Sequence, residues 1–225
     1  MTDKIITVDG PSGVGKGTLA RFLANYLNWQ LLDSGSIYRA LAYYSQQKDI
    51  DSNNEIKLSQ AALSLPVSFI SEDNLTKVIV DGSDVTDLIR HESIGMLASK
   101  ISAYQSVRDN LMTLQRSFDQ NKGLIADGRD MGTIVFPNAQ IKLFLDATSE
   151  VRASRRYQQL ATQGVCVDQK DVLEQVVQRD SRDRNRKVAP LIPAADAIII
   201  DTSSLSINQV QQMVLEILKK NAINC

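Results

Sequence analysis

The chain has 225 residues, a formal net charge of −1 and a sequence pI of about 5.9. The length allows one α/β domain with small insertions. The charge argues against binding to nucleic acid, because proteins that bind it usually have a basic face. No apolar run approaches the ~18 residues of a membrane span and no signal peptide opens the chain, so we expect a cytoplasmic protein without a membrane partner. Its two cysteines, Cys166 and Cys225, have neither a metal-binding nor a disulfide spacing.

Five short apolar runs, each ending in aspartate, are predicted to be strands buried on both faces, because they lack the alternation of a half-exposed strand. In chain order they are Ile5–Asp9, Gln30–Asp33, Leu124–Asp127, 142–146 and 197–201. Helical periodicity occupies Lys16–Leu27, 149–163 and 206–221. This alternation predicts an α/β fold with a doubly wound parallel sheet of about five strands, flanked by helices. Ligands of such sheets bind beyond the carboxyl ends of the strands, so the terminal aspartates are expected to rim a site, some serving only as caps or turn residues.

Residues 64–90 have a different character. The runs 66–70, Leu75–Val80 and 84–85 are short, β-rich and separated by turn residues, which predicts a small antiparallel insert. The preceding stretch, 49–55, reads as a loop, and helical periodicity returns over 93–122.

A glycine-rich stretch follows the first predicted strand and precedes the first predicted helix. It consists of Gly10, Pro11, Ser12, Gly13, Val14, Gly15, Lys16, Gly17 and Thr18. Glycines let successive backbone N–H groups turn inward around phosphate oxygens, and the helix N-terminus adds partial positive charge. Lys16 is placed to reach the β- and γ-phosphates and Thr18 to reach Mg²⁺. The strict P-loop pattern has the hydroxyl directly after the lysine, whereas Gly17 intervenes here. The alternative is a glycine-rich turn with a surface lysine; the strand–loop–helix context favours binding of a nucleoside triphosphate. GTPases, ATP-driven machines and small-molecule kinases all use such a loop.

Three further segments concentrate polar and cationic residues: 33–39, 126–132 and 179–187, the last with four arginines and a lysine. Each has a simpler explanation, with Ser34 as a helix N-cap, Arg39 as a helix-surface arginine and 179–187 as a solvated helix face. In a chain with a P-loop, they instead suit phosphoryl transfer to an anionic acceptor, because arginine pairs bidentately with phosphate. We interpret His91 as structural or exposed, and Trp29 as a packing residue.

Together the motifs GPSGVGKGT, LLDSGSIYR, IADGRDMGT, FPNAQIKLFLDA, RDSRDRNRKVAPLIPAADA and IDTSSLSI resemble the bacterial-type cytidylate kinases, over nearly the whole chain. The intervening Gly17 is usual among nucleoside monophosphate kinases. The resemblance implies transfer of the ATP γ-phosphoryl group to CMP or dCMP in pyrimidine nucleotide metabolism, with Mg²⁺, by a monomer. It also implies a single P-loop kinase domain over 1–225. Within this domain, residues 34–110 would form the monophosphate-binding region and residues at about 153–165 a short helical lid. The lid and the arginine-rich segment together would span about 153–187.

The resemblance also assigns residues by their positions in these motifs. Ser34, Tyr38, Arg39, Arg129 and Arg186 would bind CMP near its phosphate and the transferring group, with Lys16, Arg129 and Arg186 catalytic. Ser99, Arg108 and Asp130 would bind cytosine, and Arg179 and Asp183 the ribose. Independently, a carboxylate such as Asp130 accepts a hydrogen bond from the N4 amino group of cytosine and repels the corresponding oxygen of uracil.

Alternatives remain at this stage. Asp127, at a strand end, either orients metal-bound water or is structural. One alternative is a P-loop kinase that phosphorylates another small acceptor, such as UMP, AMP or shikimate. The resemblance alone favours CMP over these acceptors. A P-loop switch or nucleic-acid-associated ATPase is disfavoured by the acidic pI, by the absence of a clear NKxD base-reading motif and by arginine clusters suited to a small anionic acceptor.

Overall fold

The computed structural model describes residues 4–72, 75–162, 164–221 and 223. The chain forms two compact units. Unit 1 contains the residues up to Leu32, Asp119–Asn185 and those from Ala189 onward, and unit 2 contains Asp33–Phe118 and Arg186–Val188. Cys225, Gln163 of the predicted lid, and Asp73 and Asn74 of the predicted insert lie outside the described residues.

Unit 1 is built on a five-stranded sheet. Its strands are β1 (Ile5–Asp9), β2 (Gln30–Asp33, ending at the unit boundary), β6 (Leu124–Asp127), β7 (Ile141–Asp146) and β8 (Ile198–Asp201). The order is β2-β6-β1-β7-β8, and β1 pairs in parallel with β6 and β7, as does β7 with β8. All five residues of β1 are buried, as expected for the central strand of a sheet covered on both faces. The predicted doubly wound parallel α/β fold is confirmed.

The helices of unit 1 are α1 (Lys16–Leu27), α6 (Ser149–Thr162), α7 (Gln169–Asn185) and α8 (Ile207–Lys220). Helices α1 and α8 pack in the core of the sheet, whereas Ala153 of α6 packs with Val172 and Val176 of α7 in a separate cluster. Leu19 and Leu23 of α1 pack with Val8 of β1 and Val214 of α8 in the main apolar core. Trp29 lies against this core and beside Gly123, where a Cβ would fall 2.4 Å from the indole ring, so its predicted packing role is confirmed.

Unit 2 combines helices with a small antiparallel sheet. The helices are α2 (Ser34–Gln47), α3 (Glu55–Leu63), α4 (Glu92–Ile101) and α5 (Gln105–Arg116), and the strands are β3 (Val67–Glu72), β4 (Leu75–Val80) and β5 (Ser83–Asp84). Asp81 and Gly82 connect β4 to β5 with positive φ angles of 51° and 78°, as a two-residue hairpin turn requires. The predicted antiparallel insert is present.

Two local features differ from the sequence expectation. Helix α3 follows the predicted loop directly and was not anticipated, because its buried face consists of Leu58 and two small alanines, a weak periodic signal. The helical segment predicted over 93–122 is two helices, α4 and α5, with a break at 102–104. In the described parts of the chain, no helix has both the length and the apolar character needed to cross a membrane.

Candidate active site

The glycine-rich loop has the backbone of a phosphate cradle. Gly13 and Gly15 adopt φ angles of 82° and 93°, a left-handed region that favours glycine. Gly10 has no space for a side chain, because a Cβ there would lie 2.0 Å from the carbonyl oxygen of Leu145. At Gly15 a Cβ would meet no atom within 4 Å, so the loop is open beside the first turn of α1. This geometry fits the phosphates of a nucleotide at a helix N-terminus.

Lys16 lies at the start of α1 and is buried, with its Nζ donating to the carbonyl oxygen of Pro11 at 2.6 Å. Burial, followed by the positive charge of Arg129, lowers the pKa of Lys16 to about 7. Arg179 lowers this pKa as well, whereas Asp127 and Asp9 raise it. Burial and the two guanidinium groups outweigh these carboxylates at Lys16, so the added negative charge of a polyphosphate would favour its ammonium form.

Arg129, predicted to be catalytic, lies in this electrostatic cluster. Its Nε donates to Oδ2 of Asp183 at 3.0 Å. Burial by itself lowers the pKa of Arg129, but Asp183, Asp127 and Asp9 raise it above its ordinary value. The structure therefore brings Lys16, Arg129, Arg179 and Asp183 together in unit 1, and it fixes the direction of the Arg129 side chain through Asp183.

Asp9, the last residue of β1, is buried and holds the loop after β6. Its two carboxylate oxygens accept from the backbone N–H groups of Met131 and Gly132, at 2.9 and 2.8 Å. Those residues begin a π-helical turn, Met131–Val135, directly after Arg129 and the buried Asp130. Sequence reasoning grouped Asp9 with the other strand-terminal aspartates and did not single it out. Its distinguishing signal was its position between the strand and the glycine loop.

We expect the contribution of Asp9 to stability to fall as pH rises, because burial raises its pKa from 3.8 to about 7. A raised folded-state pKa gives stabilisation that is complete below the unfolded-state pKa and lost as pH rises through the folded-state value. The wild-type advantage over Asp9→Asn should therefore shrink by roughly 2–3 kcal/mol between pH 5 and pH 8. Urea denaturation of both proteins at the two pH values measures this change.

Asp84→Asn is the matched control for this measurement. Asp84 also accepts a backbone N–H, that of Thr86 at 3.0 Å, but it is exposed in the insert. Burial raises the pKa of Asp9, whereas the hydrogen bonds from Thr86 lower that of Asp84. A stability difference between wild type and Asp9→Asn that does not decrease toward pH 8 would contradict the assigned direction.

Arg152 of α6, which was not predicted from the sequence, forms a hydrogen bond with the backbone of the glycine loop. Its side chain is 2% exposed, and its guanidinium donates to the carbonyl oxygens of Ser12 and Ala147, at 3.2 and 2.9 Å. It also forms a buried ion pair with Asp180 of α7. Arg152 and Asp180 line a cavity of about 690 Å³ formed by the β7–α6 connection, α7 and the end of β8. A lone arginine early in a helix carries no periodic signal, so only the tertiary structure identifies it.

As expected, some of the strand-terminal aspartates lie at the candidate site, whereas others serve as caps, turn residues or surface residues. Asp33 is the N-cap of α2, accepting from the backbone N–H of Ser36 at 3.1 Å. Asp201 accepts from Ser203, and Asp146 pairs with Arg184. These three are turn, cap or surface residues, whereas Asp9 and Asp127 face the glycine loop and Lys16.

Ser34, predicted to bind the CMP phosphate, is the first residue of α2 rather than its cap, so the alternative reading of Ser34 as an N-cap is wrong. The Ser34 hydroxyl is buried and donates to Oε1 of Gln115 at 2.7 Å. Gln115, on α5, is 1% exposed and was not anticipated from sequence. Buried polar side chains are usually hydrogen-bonded, and this hydrogen bond connects Ser34 of α2 to α5.

Apart from Arg186, the remaining predicted residues of unit 2 lie on α2, α4 and α5. The Arg108 guanidinium lies 5.7 Å from the ring centroid of Tyr38, a cation–π distance, and donates to the Ser102 carbonyl oxygen at 3.3 Å. Ser99 is buried on α4. Arg39 donates from Nη1 to the carbonyl oxygen of Ile89 at 2.7 Å. Arg186 follows α7 in sequence and groups with unit 2.

His91 and Cys166, which were assigned no catalytic role from the sequence, are both exposed. His91 is exposed, and its backbone carbonyl oxygen accepts from Arg39 at 3.2 Å. Cys166 is a free, exposed thiol.

A magnesium ion would find few protein ligands near the glycine loop. Thr18 lies in the first turn of α1, half-buried, and Oδ2 of Asp127 lies 3.4 Å from the point where a Cβ on Gly17 would stand. Within the described residues, no group of three acidic, histidine or cysteine side chains is arranged to hold a metal. Mg²⁺ bound to nucleotides keeps several waters and takes few protein oxygens, so a hydroxyl and one nearby carboxylate fit it.

Comparison with known proteins agrees with this geometry. The family model described as cytidylate kinase matches residues 6–220. The cytidylate kinases of Yersinia pestis (strain Pestoides F) and Yersinia pseudotuberculosis (serotype O:1b, strain IP 31758) are each 51% identical over 211 residues, 94% of this chain and 92% of theirs. A solved structure of an uncharacterized protein from Eubacterium ventriosum ATCC 27560 covers 97% of this chain and 99% of its own, with a TM-score of 0.50 and 14% identity, a likeness of fold alone. The chain belongs to the cytidylate kinase family.

Proposed function

We propose that this enzyme transfers the γ-phosphoryl group of ATP to CMP or dCMP, giving ADP and CDP or dCDP. The observation that carries the proposal is the buried Lys16 in the glycine loop, with Arg129 and Arg179 close enough to lower its pKa. Such concentrated positive charge fits a reaction in which two anionic substrates meet. Family membership supplies the acceptor class, because the relatives are named cytidylate kinases.

The glycine loop and Lys16 bind the ATP phosphates in this proposal. Backbone N–H groups of the loop Gly10–Thr18, in which Pro11 alone has no N–H, surround the phosphate oxygens. Lys16 exchanges its hydrogen bond to Pro11 for one to the β- or γ-phosphate. Arg129 and Arg186 neutralise the charge that spreads over the transferring group. No general base is needed, because the phosphate of CMP is already largely ionised near neutral pH.

Mg²⁺ would be held mainly by the ATP phosphates, with the Thr18 hydroxyl in or near its coordination shell. When bound, the ion neutralises charge on the β- and γ-phosphate oxygens. The Asp127 carboxylate faces the same turn of α1, close to Gly17. We assign Asp127 the role of orienting water molecules on the ion.

We assign the CMP-binding roles to residues of the family motifs. Ser34, Tyr38 and Arg39 contact its phosphate, and Arg179 and Asp183 its ribose. Ser99 and Arg108 donate toward O2 and N3 of the base, and Asp130 accepts from its N4 amino group. The burial of Ser99, Arg108 and Asp130, each 9% exposed or less, supports a role in base selection, because an unpaired polar group in a buried site is costly.

The experiment that tests this function measures ADP release from Mg·ATP with CMP, dCMP, UMP, AMP, GMP or no acceptor. We expect rapid release with CMP and dCMP, and release at least about 10-fold slower with the other acceptors. Release that is equally fast without an acceptor would identify an ATPase instead. Rapid release with AMP or UMP alone would retain the kinase and overturn the acceptor. Omitting Mg²⁺ in the presence of a chelator is expected to abolish release.

A further inference from the structure

Helix α4 contains a buried glycine whose position is not explained by its backbone. Gly95 lies in the interior of α4, where glycine is the least favourable residue apart from proline. Its φ is not in the left-handed region, so the backbone conformation is open to any residue. The reason for a glycine must therefore lie in what packs against it.

What packs against Gly95 is the guanidinium of Arg39, from α2. A Cβ on Gly95 would lie 2.6 Å from Nη2, and 3.0 Å from both Cζ and Nη1 of Arg39. Real Cβ atoms essentially never approach a heavy atom to 2.6 Å, so a side chain at position 95 would require the guanidinium to shift. The planar group thus lies directly against the backbone of α4.

Arg39 is held at this place from a second direction. Its Nη1 donates to the carbonyl oxygens of Ile89 and His91, at 2.7 and 3.2 Å, in the turn that precedes α4. The guanidinium cannot move away from α4 without losing these bonds. Two carbonyl acceptors and a glycine surface together fix both its position and its plane.

Gly95 is also one helical turn from Ser99. Residues four apart in a helix share a face, and both are buried. The same face of α4 therefore carries a residue assigned to the cytosine ring and the surface on which the phosphate-binding Arg39 lies.

We propose that Gly95 is a positioning residue for acceptor binding, allowing Arg39 to lie against α4 one turn from Ser99 so that the phosphate and base of CMP are bound in a fixed relation. The inference rests on the proposed function, through the assignment of Arg39 to the CMP phosphate. Its chemistry is the bidentate pairing of a pre-oriented guanidinium with a phosphate.

Gly95→Ala separates positioning from general destabilisation through the two KM values. Alanine is the better helix former, but the displaced guanidinium loses its bonds to Ile89 and His91, so the two effects on melting temperature oppose each other. The displaced guanidinium should raise KM for CMP about 10- to 100-fold, as misplacement of a positioning group by about 1 Å does. KM for ATP should change less than about twofold. Ser93→Ala, at an exposed position of the same helix, is the control and should leave both KM values unchanged.

A double-mutant cycle tests whether the effect passes through Arg39. In an Arg39→Ala background, Gly95→Ala should no longer change KM for CMP, because no guanidinium remains to be displaced. A persistent increase would show that α4 itself is distorted and would overturn the proposal. An unchanged KM in Gly95→Ala alone, or equal increases for CMP and ATP, would overturn it as well.

If Gly95→Ala does not fold, the double variant Gly95→Ala with Arg39→Lys tests the proposal instead. The narrow ammonium of lysine lacks the planar fork, so Gly95→Ala with Arg39→Lys should fold and should behave as Arg39→Lys alone. Failure of this double variant to fold would also overturn the proposal. Wild type assayed with CMP in the same series keeps the two hypotheses apart: no turnover with CMP rejects the proposed function, whereas normal turnover with an unaffected Gly95→Ala rejects only the role of Gly95.

Discussion

Replacing Lys16 by alanine is expected to lower kcat by about 10²–10³-fold or more while CMP binding is retained. Lys16 is the buried cation of the glycine loop, and its ammonium is assigned to the β- and γ-phosphates, where negative charge redistributes in the transition state. A surface lysine would have a much smaller effect, since solvent screens it. The measurements are steady-state kcat for ADP release and CMP affinity by calorimetry.

Two further variants make the Lys16 result specific. Lys16→Met keeps the unbranched stem and removes only the charged group, so it should be as inactive as Lys16→Ala while packing better. Lys219→Ala removes an exposed lysine of α8 and should retain full activity. A Lys16→Met enzyme with near wild-type kcat would remove the glycine-loop lysine from the mechanism. Loss of CMP affinity equal to the loss of kcat would instead indicate general disruption of the fold.

Asp130→Ala is expected to reduce kcat/KM for CMP by about 100-fold and to change ATP affinity less than about twofold. Asp130 is 3% exposed and is assigned to the cytosine N4 amino group, which loses its acceptor in the variant. The loss should be smaller than the largest discriminations known for buried polar groups, because water can enter beside the shortened side chain. Kinetics with CMP varied at saturating ATP, and calorimetry with a non-hydrolysable ATP analogue, measure the two quantities.

Asp130→Asn refines this prediction. The amide keeps one acceptor oxygen but adds an NH₂ group that can donate to O4 of uracil. The ratio of kcat/KM for UMP to that for CMP should therefore rise relative to wild type. If Asp130→Ala affects ATP and CMP equally, Asp130 does not read the base. An unchanged ratio in Asp130→Asn would lead to the same conclusion.

Much of the fold followed from local patterns. Uninterrupted apolar runs ending in aspartate predicted the parallel strands because a strand buried on both faces has no polar side. The glycine loop was recognisable because phosphate binding requires a strand, a turn with left-handed backbone and a helix N-terminus in immediate succession. The insert was visible from its turn residues, including Asp81 and Gly82.

Other features depend on contacts between segments distant in the chain. Asp9 binds backbone groups more than 120 residues away, and Arg152 reaches Ser12 from α6. Gln115 likewise meets Ser34 across 81 residues. Neither composition nor periodicity encodes such pairings, because a single arginine or glutamine has no repeating neighbour to reveal its direction.

The sequence by itself determined the class of fold, the phosphate-binding loop and, through its motifs, the family. Local chemistry suffices for these, since backbone freedom, helix termini and apolar runs act over a few residues. Only the tertiary structure decided which strand-terminal aspartates face the site and which are caps, and why position 95 holds a glycine. Those outcomes depend on which groups burial brings within a few ångströms of one another, and that distance decides both the pKa of Asp9 and the place of the Arg39 guanidinium.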